Sequence, residues 1–517
     1  MGAFALPKPT GRRRAIRMPK LHPDLQNKEF SYQDITLTPN RLPDFERGEV
    51  DLASYFTKKT ILKTPLVAAP MDTVCESKMA ILMALFGGIG VIHYNFPTID
   101  DQIKEAEKVK RFEAGFVFKP IVLSPQNNIE DVCRISKEYG FFSIPITEDG
   151  TLNSKLVGIV THRDIRYKEE MKIKLGEIMT KRDKLIVAKK KDTVDRNDLG
   201  LANKILKEKN LDTLPIVDSE DRLVALVTDS DMKKNAQYPL ATKNDNKQLK
   251  VFIAVESRVE LAKERIKKGI DADIDGIVIE ASVVFKTQLE IAKWAKENFP
   301  QLEIVLGNVD SAQMLRKIIE EVPKYCDAIK VGIGPGAACI TQQVLGTGRT
   351  QASAVLECAQ EAKRLEEKYG FFPIIADGGI RIADMVNQND AKPGDIAKSL
   401  ALGADTVMMG SLLAGIDESP GEKEFDYEEN RMVKKYRGMG SLEAMAEGGG
   451  LRYGTEKAKI KIIEGKVVKA PYRGSGYDFL PRLIAGIKQS LQKQGFRNIK
   501  ELQEEADIRP LRFISTP

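Results

Sequence analysis

Between Leu66 and Ser411 one pattern recurs eight times: a short, nearly unbroken apolar run followed by a longer stretch whose apolar residues return at helical spacing. The runs are Leu66–Asp72, Gly87–Asn95, Val251–Val255, Asp275–Glu280, Leu302–Asn308, Asp327–Gly332, Phe372–Ile380 and Thr406–Ser411. A strand that is apolar on both faces must be covered on both faces, as in parallel sheets laced by crossover helices. Eight such units predict an α/β chain closed into a (β/α)8 TIM barrel, with its active site at the C-terminal ends of the strands. The pattern stops after the second unit and resumes at Val251, so the barrel is expected over 31–120 and 241–517, with a second domain inserted over 121–240.

The insert carries a repeat of its own. Ser143–Ile146 with Leu156–Ile165 echoes Thr213–Val217 with Leu223–Met232, about 70 residues on, and each copy follows a helix-like segment, Asn128–Tyr139 or Arg196–Lys209. Internal duplication of this kind predicts two similar units packed face to face. The pattern resembles a tandem pair of cystathionine-β-synthase-type (CBS) modules, a Bateman domain. That resemblance implies purine nucleotides at the turns carrying Thr161 and Asp164 in the first copy and Thr228 and Asp231 in the second. An insert that is structural and takes no ligand is the other reading.

Composition narrows the function classes. Among 517 residues 42% are apolar and 30% charged, and no apolar run is long enough to cross a bilayer. The net charge of +6 is small for this length and is not gathered into a stripe, so no specific nucleic acid is expected. Five cysteines without a CxxC spacing indicate neither a disulfide framework nor a zinc site, which fits a reducing, cytoplasmic setting. Three scattered histidines, His22, His93 and His162, leave acid and base work to other residues. Residues 1–30, with Arg12–Arg14 and several prolines, lack the apolar stretch of a signal peptide and are expected to be a flexible basic arm.

One cysteine stands apart. The sixth apolar run ends in Gly332-Ile333-Gly334-Pro335-Gly336, which can continue neither as strand nor as helix and so holds Cys339 at the tip of a stiff loop over the barrel mouth. A thiolate there can attack an electrophilic carbon, with loop N–H groups offsetting the developing charge. A small buried hydrophobe is the plainer reading of a free cysteine. Runs seven and eight end in Asp377-Gly378-Gly379 and Gly410-Ser411, where barrels commonly bind phosphate. Asp377 would repel phosphate but suits ribose hydroxyls, so a nucleoside monophosphate satisfies both groups. Beyond the last run, the Gly-flanked, Lys-rich stretch over about 447–474 reads as a mobile flap, and Arg452 and Tyr453 on it become candidates for a late step.

Ala69-Pro70-Met71-Asp72-Thr73-Val74, the paired CBS modules, Gly334-Pro335-Gly336 before Cys339-Ile340-Thr341, Ala376–Ile380, Met408–Ser411 and Tyr436–Ser441 occur in order. Together they resemble inosine-5′-monophosphate (IMP) dehydrogenase, over roughly residues 30–510. The resemblance implies that Cys339 attacks C2 of the IMP purine and expels hydride to NAD, leaving a covalent thioimidate. Water activated by Arg452, with Thr341 and Tyr453 assisting, would then release xanthosine monophosphate. It implies substrate contacts from Asp377, Gly379, Gly410, Ser411, Tyr436, Met439, Gly440 and Glu464. Cofactor contacts are implied from Glu280, Ser282, Asn308, Gly332 and Gly334, and a potassium ion on the backbone carbonyls of Gly334, Gly336 and Cys339. It further implies a homotetramer able to pair into an octamer.

Three positions depart from the family pattern. Glu280-Ala281-Ser282 stands where relatives have Asp-Ser-Ser, Ala337 stands where a serine usually meets phosphate, and the chain ends without the Glu-Gly-Gly-type segment that completes the potassium site. Two rivals remain at this point: GMP reductase, which shares the barrel, cysteine and phosphate loops, and a catalytically weak, nucleotide-sensing relative. The Arg452-Tyr453 pair favours the dehydrogenase, because a reductase needs no hydrolytic base.

Overall fold

The computed structural model of the chain describes residues 18–112, 116–118, 120–139, 143–166, 168, 170–196, 199–228, 237–380, 393–447, 460 and 462–511. All eight expected strands form: β1 (Leu66–Ala68), β2 (Ile89–Ile92), β3 (Phe252–Glu256), β4 (Gly276–Glu280), β5 (Glu303–Val309), β6 (Ala328–Val331), β7 (Ile374–Asp377) and β8 (Thr406–Met409). They close into one parallel barrel, the last pairing with the first through Val407↔Leu66 and Met409↔Ala68.

Alternation along each strand divides the apolar residues between two layers. Val67, Val91, Ala254, Val278, Val305, Ala328, Ile375 and Met408 fill the barrel interior, while Leu66, Ile253, Ile277, Ile304, Ile329 and Val407 face the surrounding helices. A short hairpin, Ser54–Tyr55 with Ile61–Leu62, closes the N-terminal end of the barrel. Its Phe56 packs edge-on against Phe252 with ring centroids 5.0 Å apart, and Thr60 donates to Glu303 at 2.8 Å. With that end plugged, the C-terminal mouth is the end left for a site.

The insert leaves after the helix Ile99–Arg111 and folds as two three-stranded sheets, one of Ile144–Thr147, Leu156–Val160 and Thr180–Lys181, the other of Ala188–Lys189, Thr213–Val217 and Leu223–Thr228. Each has its own small core, and Leu156, Val217, Leu223 and Leu226 form a third cluster shared by the two copies. Hydrogen bonds Asn153 N–H to Leu223 O and Leu156 N–H to Asp221 O join the hairpins directly.

Of the basic arm expected over 1–30, residues 1–17 lie outside the described residues, and a parallel strand pairing holds part of the rest against the barrel. Lys20 and Leu21 pair with Asp507 and Ile508, and Leu25 and Phe30 are buried. Beyond β8 an antiparallel sheet of Lys423–Asp426, Arg431–Arg437 and Val467–Pro471 rises beside the mouth. Among the described residues no helix is long and apolar enough to cross a membrane.

Candidate active site

The loop after β6 turns because its glycines take backbone angles closed to other residues: Gly332 has φ +145° and Gly334 φ +82°. A Cβ on Gly332 would come within 2.2 Å of the Asp377 carbonyl, so the Cys339 loop and the end of β7 lie against each other. The loop closes with Cys339 N–H donating to Gly336 O at 3.0 Å.

Three separate segments then lock the cysteine. Ile340 N–H donates to Glu464 O at 2.9 Å and Lys466 N–H to Ala338 O at 2.9 Å, while Glu464 and Gly465 both donate to Gly440 O. Cys339, Met439–Gly440 and Glu464 therefore meet although up to 125 residues separate them in sequence. Thr341 Oγ1 lies 3.1 Å from Cys339 Sγ and donates to Glu464 Oε2 at 2.9 Å. A hydroxyl that gives its proton to a carboxylate can only accept from the thiol, which leaves a short relay from sulfur to Glu464. Three of the other cysteines are unsuited to such chemistry: burial pushes the Cys75 and Cys358 thiols upward and Cys326 up to about 12, whereas Cys339 is half-exposed at the mouth.

A second corner gathers at the ends of β4 to β7. Asp377 accepts from Asn308 Nδ2 and from Lys330 Nζ, both at 2.9 Å, and Lys330 also reaches Glu280 at 2.8 Å and Asn308 Oδ1 at 2.6 Å. Lys330 and Glu280 are fully buried, while the Asp377 side chain keeps 18% of its surface open. The lysine holds one carboxylate below and presents the other at the surface.

The third corner is at β8. Gly410 precedes the helical turn Ser411–Ala414, and a Cβ there would stand 2.7 Å from the Tyr436 hydroxyl and 3.1 Å from Met71 Sδ. The tyrosine hydroxyl thus lies over Gly410, at the start of the turn whose first N–H groups have no partner within the turn, the kind of place that suits an anion. Arg437 next to it forks onto Asp72, with Nη2 to Oδ2 at 2.7 Å, and fixes the loop after β1 that carries Met71.

A family model described as "IMP dehydrogenase / GMP reductase domain" matches residues 29–513. The chain belongs to this family. It is 39% identical over 493 residues to inosine-5′-monophosphate dehydrogenase of Schizosaccharomyces pombe, covering 94% of this chain and 88% of the relative. The enzyme of the same name from Aquifex aeolicus is 38% identical, with 92% of each chain covered. Among solved structures, a cysteine-to-alanine variant of Trypanosoma brucei GMP reductase in complex with guanosine 5′-monophosphate superposes with a TM-score of 0.81 at 27% identity, covering 95% of this chain and 96% of that one.

Of the positions expected from the IMP dehydrogenase / GMP reductase resemblance, the structure brings Cys339, Thr341, Met439, Gly440 and Glu464 into one corner. It sets Asp377, Asn308, Glu280 and Gly332 in a second and Gly410, Ser411 and Tyr436 in a third. Gly378 joins the first two, since a Cβ on it would meet Gly336 N at 3.4 Å; Gly379 rests on Gln351, and Gly334 on Gln342. Ser282 is half-buried just beyond β4, in the loop where Val284 N–H reaches Asn308 O. Thr161 and Asp164 bond one another at 2.8 Å as the cap of the short helix His162–Ile165, and Thr228 ends its strand. Arg452, Tyr453 and Asp231 lie outside the described residues.

Sequence reading missed Lys330 and the Arg437–Asp72 fork. Lys330 lies inside a run that reads as plain apolar strand, yet it shares the inward face with Ala328 two residues before, and a lysine at an inward barrel position is itself a signal. The residues present also fit the groups the family implies. The Ser282 hydroxyl suits the ribose of a dinucleotide, whereas the buried Asn308 amide is already engaged, its Nδ2 donating to Gly332 O at 2.6 Å and to Asp377 and its Oδ1 accepting from Lys330. The carbonyls of Gly334, Gly336 and Cys339 are neutral oxygen donors of the kind potassium takes. That of Gly336 keeps a second lone pair beside the one given to Cys339 N–H.

Proposed function

We propose that this chain oxidises inosine 5′-monophosphate to xanthosine 5′-monophosphate with NAD. The observation that carries the reading is the Thr341 hydroxyl set between the Cys339 sulfur and the Glu464 carboxylate, since it couples the only thiol at the mouth, among the described residues, to a proton acceptor. Phosphate would bind at Gly410, Ser411, Gly379 and Tyr436, the ribose at Asp377, and the base at Met439, Gly440 and Glu464. This places C2 of the purine before Cys339. As the sulfur bonds to C2, the thiol proton passes through Thr341 toward Glu464. NAD supplies the hydride acceptor, on the side of Asn308, Ser282, Gly332 and Gly334, with Glu280 fixing Lys330 beneath. Water then releases the product from the sulfur, a step assigned to Arg452 and Tyr453.

In the same proposal, potassium on the loop carbonyls of Gly334, Gly336 and Cys339 steadies the cysteine loop, and purine nucleotides at the CBS pair (Thr161, Asp164, Thr228, Asp231) regulate turnover. The enzyme works as a cytoplasmic homotetramer. The test is the NADH absorbance of the full chain with IMP and NAD, with and without potassium: steady NADH formation is expected.

GMP reductase is the second reading, favoured by the reductase structures that superpose on this chain and by a thiol relay that would serve either direction. Consumption of NADPH with GMP, and no NADH from IMP, would replace the first reading with this one.

A further inference from the structure

Among the described residues, three buried glutamines stitch neighbouring barrel strands together from the helix layer. Each lies within the first four residues of a helix that follows an even-numbered strand: Gln102 after β2, Gln288 after β4 and Gln351 after β6. A glutamine amide carries two donors on one nitrogen and can bridge two carbonyls at once. Gln102 Nε2 donates to Ile92 O at 3.1 Å and Ala254 O at 3.0 Å, joining β2 to β3. Gln288 Nε2 joins β4 to β5 through Ile279 O at 2.7 Å and Gly307 O at 2.9 Å. Gln351 Nε2 joins β6 to β7 through Val331 O at 2.8 Å and Asp377 O at 3.2 Å.

The third stitch differs from the other two. The Gln102 oxygen accepts from Arg265 Nη1 at 2.6 Å and the Gln288 oxygen from Phe285 N–H at 2.9 Å, whereas Gln351 Oε1, also buried, has no hydrogen-bond partner among the described residues. A buried amide with its acceptor unmet adds less to stability than its two counterparts do. What it holds is also different. Val331 is the last strand residue before the glycine loop that leads to Cys339, and Asp377 is the last before Gly378 and Gly379. Both segments rest on the glutamine: a Cβ on Gly332 would stand 2.9 Å from Gln351 Oε1, and one on Gly379 would stand 2.9 Å from Gln351 Cβ. On Gly378 a Cβ would meet Pro335 Cγ at 3.3 Å and Gly336 N at 3.4 Å, so the loop and the turn touch each other as well.

We propose that Gln351 is a positioning residue, whose amide sets the register between the loop carrying Cys339 and the Asp377–Gly379 turn that would hold the ribose and phosphate of the substrate. The proposal rests on the function given above. Without the bridge the nucleotide still finds its ribose and phosphate contacts, but its base no longer meets the sulfur in line. A misplacement of about 1 Å costs on the order of 100-fold in rate.

The experiment compares Gln351→Met with Gln102→Met, each of which keeps the length of the side chain and removes the amide. Strands β2 and β3 carry no residue used in the proposed function, so Gln102→Met is the matched loss of a stitch. It also strips Arg265 Nη1 of its partner, and its Tm should fall further than that of Gln351→Met. In NADH formation from IMP the order should reverse: kcat falls roughly 10- to 100-fold in Gln351→Met with KM for IMP within about threefold of wild type, while Gln102→Met keeps both constants. An unchanged kcat in Gln351→Met overturns the proposal, and so does an equal fall in both variants. Should Gln351→Met fail to fold, Gln351→Asn, whose amide is one carbon too short to span both carbonyls, takes its place. Wild type that forms no NADH from IMP would refute the proposed function and not the bridge. The register is then read from alkylation of Cys339 by iodoacetamide, followed by peptide mass, with IMP or GMP bound. Protection in wild type and Gln102→Met that is largely lost in Gln351→Met supports the bridge; no protection in wild type, or equal protection in all three, overturns it.

Discussion

Asp405 and Asp377 stand at opposite ends of the same pair of barrel strands and do different work. Asp405 precedes β8 at the plugged end, is wholly buried, and accepts the Ile374 N–H at 2.8 Å. Asp275 and Asp327 repeat the device, taking Val251 N–H at 2.9 Å and Ile304 N–H at 2.8 Å and pairing with Lys110 and Lys296. At that end a carboxylate completes the hydrogen bonding of the backbone where the neighbouring strand begins. Asp377 ends β7 at the mouth, accepts from the side chains of Asn308 and Lys330, and keeps an open face. The same residue type thus serves stability at one end and, in the proposed function, ribose recognition at the other, and substitutions at the two ends should separate folding from turnover.

The largest expected effect is at the mouth. Cys339→Ala removes the proposed nucleophile and should lower NADH formation by at least about 10⁴-fold, with Tm unchanged, because the half-exposed side chain fills no core. A fall in Tm of many degrees would mean the mouth is also structural and would blur the contrast.

Lys330 is where the contrast should bend. Lys330→Met leaves the Glu280 and Asp377 carboxylates facing each other in a buried site without a cation, a loss on the order of 3–5 kcal/mol in denaturant unfolding. Lys330→Arg should restore much of the stability while KM for IMP stays raised, because a longer, planar group cannot hold Asp377 at the same place. If Lys330→Met unfolds at the wild-type denaturant concentration, the buried triad is not holding the mouth.

At the base, Asp405→Asn should change stability and leave kinetics alone. Burial raises the Asp405 carboxyl to about 7, against the Ile374 N–H, the Gln503 amide and Lys363, which favour the ion, while Glu366 adds to the rise. The folded state therefore holds a proton that the unfolded chain releases near pH 4. This contribution is complete below about pH 4 and lost as pH rises through 7, a swing of up to about 4 kcal/mol. Asparagine still offers an oxygen to Ile374 N–H and cannot ionise, so stability should lose that slope between pH 4 and 7. A slope that persists in Asp405→Asn assigns it to other groups.

The barrel was legible because buried parallel strands need unbroken apolar runs, and each of the eight expected runs overlaps one of the eight strands, two of which run one residue further, to Glu256 and Val309. The insert was legible through its repeat. The site was legible only in part. Glycine and proline around Cys339 announce a stiff loop on their own, but the approach of Glu464 to Thr341 rests on backbone bonds between 338–340, 440 and 464–466, and no local pattern encodes pairing at that distance. Lys330 was hidden for the opposite reason: one charged residue does not disturb an apolar run, and only the alternation of inward and outward positions reveals it. Residues 18–30 failed as an arm because a two-residue pairing with Asp507 and Ile508 is too short to show as a strand.

The smallest effect should be a gain. Ala337 is exposed in the Cys339 loop, between Gly336, whose carbonyl takes the Cys339 N–H, and buried Ala338. A serine there has room for its hydroxyl and, with the substrate phosphate at Gly379, Gly410 and Tyr436, gains one hydrogen bond to a charged acceptor worth about 1 to 3 kcal/mol. That bond is made equally before and during reaction, so Ala337→Ser should lower KM for IMP roughly 5- to 150-fold and leave kcat where it is. Inosine, which carries no phosphate, should show no such gain. A change in kcat with constant KM would place the loop against the reacting base instead, and would move the phosphate away from the corner where Gly410 and Tyr436 meet.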